Sequence, residues 1–148
     1  MKSEILEILR AQKTIVSGEL LSDRLKTSRV SIWKHIRRLQ ECGYAIESST
    51  KGYLLVSSPD IPFPWEFPSY ENRMTYFPEV DSTMDEARGL ARKGALHMSL
   101  VVAGSQKKGR GRLRRKWLSD PGGLYFTVIL KPKLAPALSF KINFAASL

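Results

Sequence analysis

The sequence predicts an α+β chain in two parts, helical with a closing hairpin over residues 1–56 and alternating strand and helix over 71–148. Three observations carry that prediction. Apolar residues recur at helical spacing in the first part and in strand-like runs in the second. Between them "SSPDIPFPWEFPSY", residues 57–70, holds four prolines and no period, so it reads as an extended linker. The net charge of +10 is also local. Residues 1–55 carry ten Lys/Arg against six Asp/Glu, a balance of +4, and "GSQKKGRGRLRRKW", residues 104–117, supplies +7 by itself. What remains of the second part sums to −1, which favours discrete anion sites over a generally sticky surface.

With 148 residues, 43% hydrophobic and 26% charged, the composition is that of a folded protein with modest cores. No apolar run approaches the roughly 20 residues of a membrane span, and "MKSEILEILR" lacks a secretory apolar region, so a cytoplasmic location without membrane contact is expected. The single cysteine, Cys42, allows neither an internal disulfide nor a cysteine metal cluster.

Taken in order, Ser3–Ala11 places Ile5, Leu6 and Leu9 on one face of a first helix. Ser17 caps a second, Gly18–Leu25, with Glu19 in its first turn. Thr27 or Ser28 caps a third, which Gly43 stops. At 100° per residue Ile32, Trp33, Ile36 and Leu39 fall on its inner face, and Ser31, Lys34, His35 and Arg38 on its outer face. "YAIESSTKGYLL" reads as two short strands around Ser48–Gly52, with Lys51 near the tip. The sum is a winged helix-turn-helix. Its outer helix face is suited to the DNA major groove through Ser28, Arg29, Ser31, Lys34, His35 and Arg38, with Lys51 on the backbone. A solvated face used for protein contact is the plainer alternative.

In the second part "RMTYFPEV" predicts a strand. "DSTMDEARGLARKG" predicts a helix with Thr83 and Glu86 as a capping box and Gly94 beyond its end. "MSLVVAG" predicts a buried strand, and "GLYFTVILK" another, with Leu124, Phe126, Val128 and Leu130 alternating onto one face. "APALSFKINFAASL" begins an apolar helix. An apolar final segment beside three strands predicts further covering elements, and hence a longer natural chain.

The basic stretch lies between two of these strands. It is not a dinucleotide fingerprint, because Arg114 stands where the third glycine belongs. Nor is it a Walker loop, because Arg110-Gly111 replaces Lys-Ser/Thr. Gly109 and Gly111 are expected to adopt positive φ and let backbone approach a ligand. Arg110 and Arg112 offer forked donors to a phosphate, and Trp117 gives the loop an apolar foot. So much like charge predicts a loop that is mobile until an anion neutralises it. A solvated basic loop or a second nucleic-acid contact also fits.

The stretch resembles the Q-x-x-G-R-G-R-x-x-R-x-W adenylate-binding loop of biotin–protein ligases, and "DSTMDEA" resembles that family's D-S-T-N helix start. "GGLYFTVIL" is similar to the strand that follows the loop, and residues 17–55 are similar to the winged helix of the bifunctional members, which repress biotin synthesis genes. The resemblance implies an incomplete α/β biotin-ligase catalytic domain behind a DNA-binding domain. It implies biotin and Mg²⁺-bound ATP as ligands, formation of biotinyl-5′-adenylate, and transfer of biotin to a lysine of biotin carboxyl carrier protein. It further implies a ligand-dependent homodimer that binds operator DNA. Carried over by motif position, Ser82, Thr83 and Gln106 contact the biotin head, while Gly109, Arg110, Gly111 and Arg112 close over biotin and the phosphate. Arg112 is the catalytic candidate, holding the phosphate as charge builds on it, with Lys116 assisting. Met84 stands where the family has Asn, also at the ligand. The family's K-W-P-N-D strand with its catalytic lysine does not occur in this sequence, so little complete ligase activity is expected of these 148 residues.

Overall fold

Ile5, Leu6 and Leu9, spaced to share one helical face, are each no more than 1% exposed and anchor α1 (Lys2–Gln12) in the first core. The computed structural model describes residues 1–142 apart from 112, 114 and 139, and it divides into two units, Met1–Glu71 and Asn72–Leu148.

In the first unit α2 (Gly18–Arg24) starts where the Ser17 hydroxyl accepts the Leu20 N–H at 3.1 Å. α3 (Arg29–Glu41) starts where Ser28 does the same for Ser31 at 3.2 Å. Each cap satisfies a donor that the first helical turn leaves without a partner. Leu21 from α2 and Ile32, Ile36 and Leu39 from α3 complete the core with α1, all fully buried. β1 (Ala45–Ser49) and β2 (Gly52–Ser57) form an antiparallel hairpin. Backbone bonds between Val16 and Tyr53, 2.8 Å in both directions, tie that wing to the entry of α2. Gly52 is required there: its φ is 141°, and a Cβ would lie 2.1 Å from the Val16 carbonyl oxygen.

Two expectations are corrected in this unit. Trp33 is not core; it is 52% exposed, because the buried stripe of α3 centres on Ile32, Ile36 and Leu39 and carries Trp33 to its flank. The proline-rich segment, expected as an extended linker, is docked within the first unit. Phe63 is buried and stacks on Trp65 with centroids 4.5 Å apart, and Arg10 donates two 2.8 Å bonds to Glu66. Tyr44 donates its hydroxyl to Glu66 and accepts the Trp65 indole N–H at 3.0 Å. A segment with no period of its own is thus docked by aromatic and ionic contacts with distant residues.

The second unit contains β3 (Met74–Phe77), α4 (Thr83–Arg92), β4 (Ser99–Ala103) and β5 (Tyr125–Ile129). The sheet order is β3-β4-β5, the first pair parallel and the second antiparallel. The β3–α4–β4 crossover lays α4 on one face, where Ala87 packs with Val101 and Ile129, flanked by Phe77, Leu90 and Ala91. The alternation expected in the last strand is present. Ile129 turns to α4, whereas Leu124, Phe126 and Leu130 are 64%, 53% and 40% exposed. Beyond it Pro136–Leu138 forms one 3₁₀ turn and residues 140–142 are helical; the rest of the expected apolar helix lies outside the described residues.

Candidate functional site

The basic stretch folds back on itself and against the segment that leads into α4. Within it Trp117 N–H donates to the Gly109 carbonyl at 2.8 Å and Gly111 N–H to that of Arg115 at 2.8 Å, so Arg110 faces Lys116 as in a hairpin. Lys107 N–H donates to the Val80 carbonyl at 2.9 Å and Lys108 N–H to that of Asp81 at 2.7 Å. Acids from that same segment and from α4 take up the charge: Lys107 pairs with Glu79 at 2.7 Å, Lys108 with Asp81 at 2.7 Å and Arg110 with Asp85 at 2.5 Å. The pairing with Arg110 holds the Asp85 carboxyl below the usual carboxylate range, and Glu79 raises the Lys107 ammonium above its ordinary value. The described part of the stretch is therefore held by backbone bonds, with Lys107, Lys108 and Arg110 paired to acids outside it, where its composition alone predicts mobility.

Gln106 joins loop and helix. Its carbonyl oxygen accepts the Thr83 N–H at 2.8 Å and the Thr83 hydroxyl at 3.0 Å, and its amide donates to the Ser119 hydroxyl at 3.1 Å. Thr127 of β5 donates to the Thr83 hydroxyl at 2.9 Å, extending the chain of bonds across the sheet end. The expected capping box is replaced by this contact. α4 has Ser82 at its N-cap with no side-chain cap bond, and Thr83 is already inside the helix, its N–H satisfied from the loop. Ser82 and Thr83 are buried, and the Arg110 guanidinium lies 3.4 Å from the Ser82 hydroxyl.

Beside this network is a cleft of about 230 Å³. Ser82, Thr83, Gln106 and Arg110 provide its polar wall, and Met84, Trp117 and Phe126 its apolar one. Of the carried-over positions, Ser82, Thr83, Met84, Gln106 and Arg110 thus converge. Gly109 is adjacent and buried, whereas Arg112 lies outside the described residues. Neither Gly109 nor Gly111 has the expected positive φ. Gly109 is needed for closeness instead, since a Cβ would sit 2.6 Å from both the Trp117 carbonyl and the Ser119 hydroxyl. Trp117, 60% exposed, lines the cleft and is no buried foot. Reading along the chain missed Asp85, Ser119 and Thr127. Each is an ordinary polar residue whose partner lies 13 to 44 positions away, so no local signal marks it. Among the described residues no group of three or more His, Cys, Asp or Glu could hold a metal ion.

A second candidate surface lies on the first unit. Arg29, Lys34 and Arg38 are exposed on α3 and Lys51 is exposed in the turn of the wing, while Ser28 is spent on the helix cap. Ser31 is half-buried. His35 is also drawn inward, its Nδ1 buried without a partner, and burial, with Arg38 and the N-terminus as lesser causes, lowers its pKa below the ordinary value. It is therefore no cationic groove contact at neutral pH. A cleft of about 430 Å³ separates α3 from the wing, with Arg29, Val30 and Trp33 on one side and Thr50 and Lys51 on the other.

Comparison with known proteins matches both units. Residues 2–54 match the HTH domain family, and residues 76–148 match the Biotin/lipoate A/B protein ligase family. The Bifunctional ligase/repressor BirA of Bacillus spizizenii is 34% identical over 143 residues, covering 90% of this chain and 44% of that protein. Its counterpart in Salmonella typhimurium is 33% identical over 132 residues, 86% of this chain and 41% of that one. Among solved structures, the biotin protein ligase from Leishmania major in complex with biotin shares 35% sequence identity over 47% of this chain and 29% of its own, with a TM-score of 0.43. No described helix is long and apolar enough to cross a membrane. A helix-turn-helix region is thus followed by a mixed α/β unit, and the chain is similar over most of its length to the bifunctional ligase/repressors while spanning under half the length of those curated relatives.

Proposed function

We propose that the chain supplies the operator-binding domain and the biotin- and adenylate-binding part of a bifunctional biotin–protein ligase and biotin-operon repressor. The observation that carries this reading is the Gln106–Thr83 link, which fixes the basic loop to the start of α4 beside a cleft. Such a cleft suits an amphipathic ligand. The ring system and aliphatic chain of biotin pack on Met84, Trp117 and Phe126, and its polar head meets Ser82, Thr83 and Gln106. Arg110 and Gly111, with Arg112, close over the carboxylate and the adenylate phosphate. An anion entering there displaces Asp85 from Arg110, an exchange of one exposed ion pair for another that costs little. In this reading ATP brings its Mg²⁺ with it. The partners in this reading are operator DNA, biotin carboxyl carrier protein and a second, ligand-bound copy.

R112G tests it. The variant is expected to lose affinity for biotinyl-5′-adenylate by calorimetry while keeping the wild-type affinity for DNA. Loss of DNA binding with a salt slope reduced by about one would instead assign the loop to nucleic acid. A non-enzymatic DNA-binding regulator is the second reading, favoured by Met84 in place of the family's Asn. It predicts DNA binding with no adenylate affinity even in the unmutated chain.

A further inference from the structure

Val30 and Trp33 are 62% and 52% exposed on a helix whose other large apolar residues are fully buried. Three positions apart, they are neighbours on the helix surface and form one ridge. Singly exposed apolar residues need no explanation, but an adjacent pair beside a cleft calls for a partner. The setting says which kind. Arg29, Lys34, Arg37 and Arg38 are exposed on the same helix, and Lys51 faces the ridge across the cleft. Arg37 holds its guanidinium 5.9 Å from the Trp33 ring, and Glu19 is the one acid on the cleft wall. An apolar ridge among cations fits a polyanion that carries apolar groups at fixed positions. Duplex DNA does so in its major groove, through the 5-methyl group of thymine.

We propose that Val30 and Trp33 are the sequence-reading contacts of this helix, resting on the DNA-binding reading above. Val30, on the outermost face of α3, sits against a thymine methyl. Trp33, toward the wing, lies along the sugar–phosphate strand that occupies the α3–wing cleft, its indole N–H directed to a phosphate. The cations then set affinity and register, while the ridge sets preference.

The experiment is selection of duplexes from a random-sequence pool by the 148-residue chain, followed by binding to the selected site with single thymines replaced by uracil. Removing the methyl that Val30 meets should weaken wild-type binding about three- to fourfold, the value of one buried methyl-sized group. V30A should bind the thymine and uracil duplexes equally. W33A should weaken binding to both duplexes by the same factor. If the pool yields a preferred site but every uracil replacement is neutral and V30A selects the same sequence, the ridge does not read DNA and faces a protein partner. If no sequence is enriched and no duplex is bound at low salt, the DNA-binding reading itself falls. Both substitutions are at exposed positions, and an unchanged thermal transition shows that the fold is kept.

Discussion

In the first unit Ile5, Leu6, Leu9, Leu21, Ile32, Ile36 and Leu39 are each no more than 1% exposed, whereas in the second the sheet buries Val101 and Ile129 under α4 and leaves Leu124, Phe126 and Leu130 open on its other face. The difference is one of geometry. Three helices enclose the seven most deeply buried residues of the first core, while in the second unit one helix covers one sheet face and the other stays open along β5, although Val102 of the central strand is buried there. Exposure therefore means different things in the two places. On α3 two exposed apolar residues stand out against a complete core, whereas on β5 they continue a face that α4 does not reach.

The sharpest way to break this comparison is to cut both cores. I36A removes packing from a fully enclosed site and should cost the first unit about 2–5 kcal/mol. I129A, at a site 8% exposed beside the open face, should cost less, because its surroundings can close in. Urea unfolding followed by Trp117 fluorescence in a W33F/W65F background reports the second unit, and the W117F background reports the first. Equal losses would mean that the two cores are equally enclosed.

Close backbone approach gives the next largest effects. G52A places a methyl against the Val16 carbonyl at a φ of 141° and should cost about 2 kcal/mol or more, with the wing detached from α2. G109A meets the Trp117 carbonyl and the Ser119 hydroxyl at an ordinary φ, so it should open the loop hairpin while β3, β4 and β5 stay paired. Amide hydrogen exchange distinguishes them. Faster exchange at Val16 and Tyr53 is expected in the first variant, and at Gln106 and Trp117 in the second.

How much of this could be read along the chain follows the range of the interaction. The cap at Ser17, that of α3 as one of the pair Thr27 and Ser28, the wing and the order of strands and helix are local and periodic, and they were legible. The convergence of Ser82, Thr83, Gln106 and Arg110 was legible only through the motif, because the spacing alone says nothing of which loop meets which helix. What stayed hidden depends on distant partners. Gln106 displaces the expected capping box from 23 positions away, and Asp85 pairs Arg110 across 25. The rotation of α3 was hidden for another reason: the 100° projection put Trp33 on the inner face with Ile32, Ile36 and Leu39, whereas those three alone are buried and Trp33 is half-exposed on their flank.

A smaller loss is expected at the docked proline-rich segment. E66Q removes the charge that Arg10 and Tyr44 both engage and should cost about 1–2 kcal/mol, discounted because Arg10 is 44% exposed. Arg10 holds the Glu66 carboxyl below its ordinary value in the folded state. The stabilisation is therefore present above the unfolded pKa of about 4.3 and is lost as pH falls through the folded value. Thermal unfolding of wild type between pH 6 and pH 3 should show that loss, and E66Q should lack it. The test also bears on the comparison: if E66Q lowers neither unit's stability, the segment contributes nothing to the first core.

The smallest effect belongs to His35. Burial lowers its pKa in the folded chain, so between the folded value and about 6.5 the unfolded chain binds the extra proton. The sign follows directly. Stability from this group is fully present above about pH 6.5 and falls as the pH is lowered toward the folded value. H35N keeps a half-buried polar side chain without a titratable proton, and it should flatten the pH dependence of thermal unfolding between pH 7 and 5. The same variant separates the two views of α3. If the helix is rotated as its buried stripe requires, H35N binds DNA at pH 7 as wild type does, whereas K34A on the exposed face weakens binding and lowers the salt slope by about one. A reduced salt slope in H35N would place His35 on the groove face after all, and Trp33 would then have to turn inward with it.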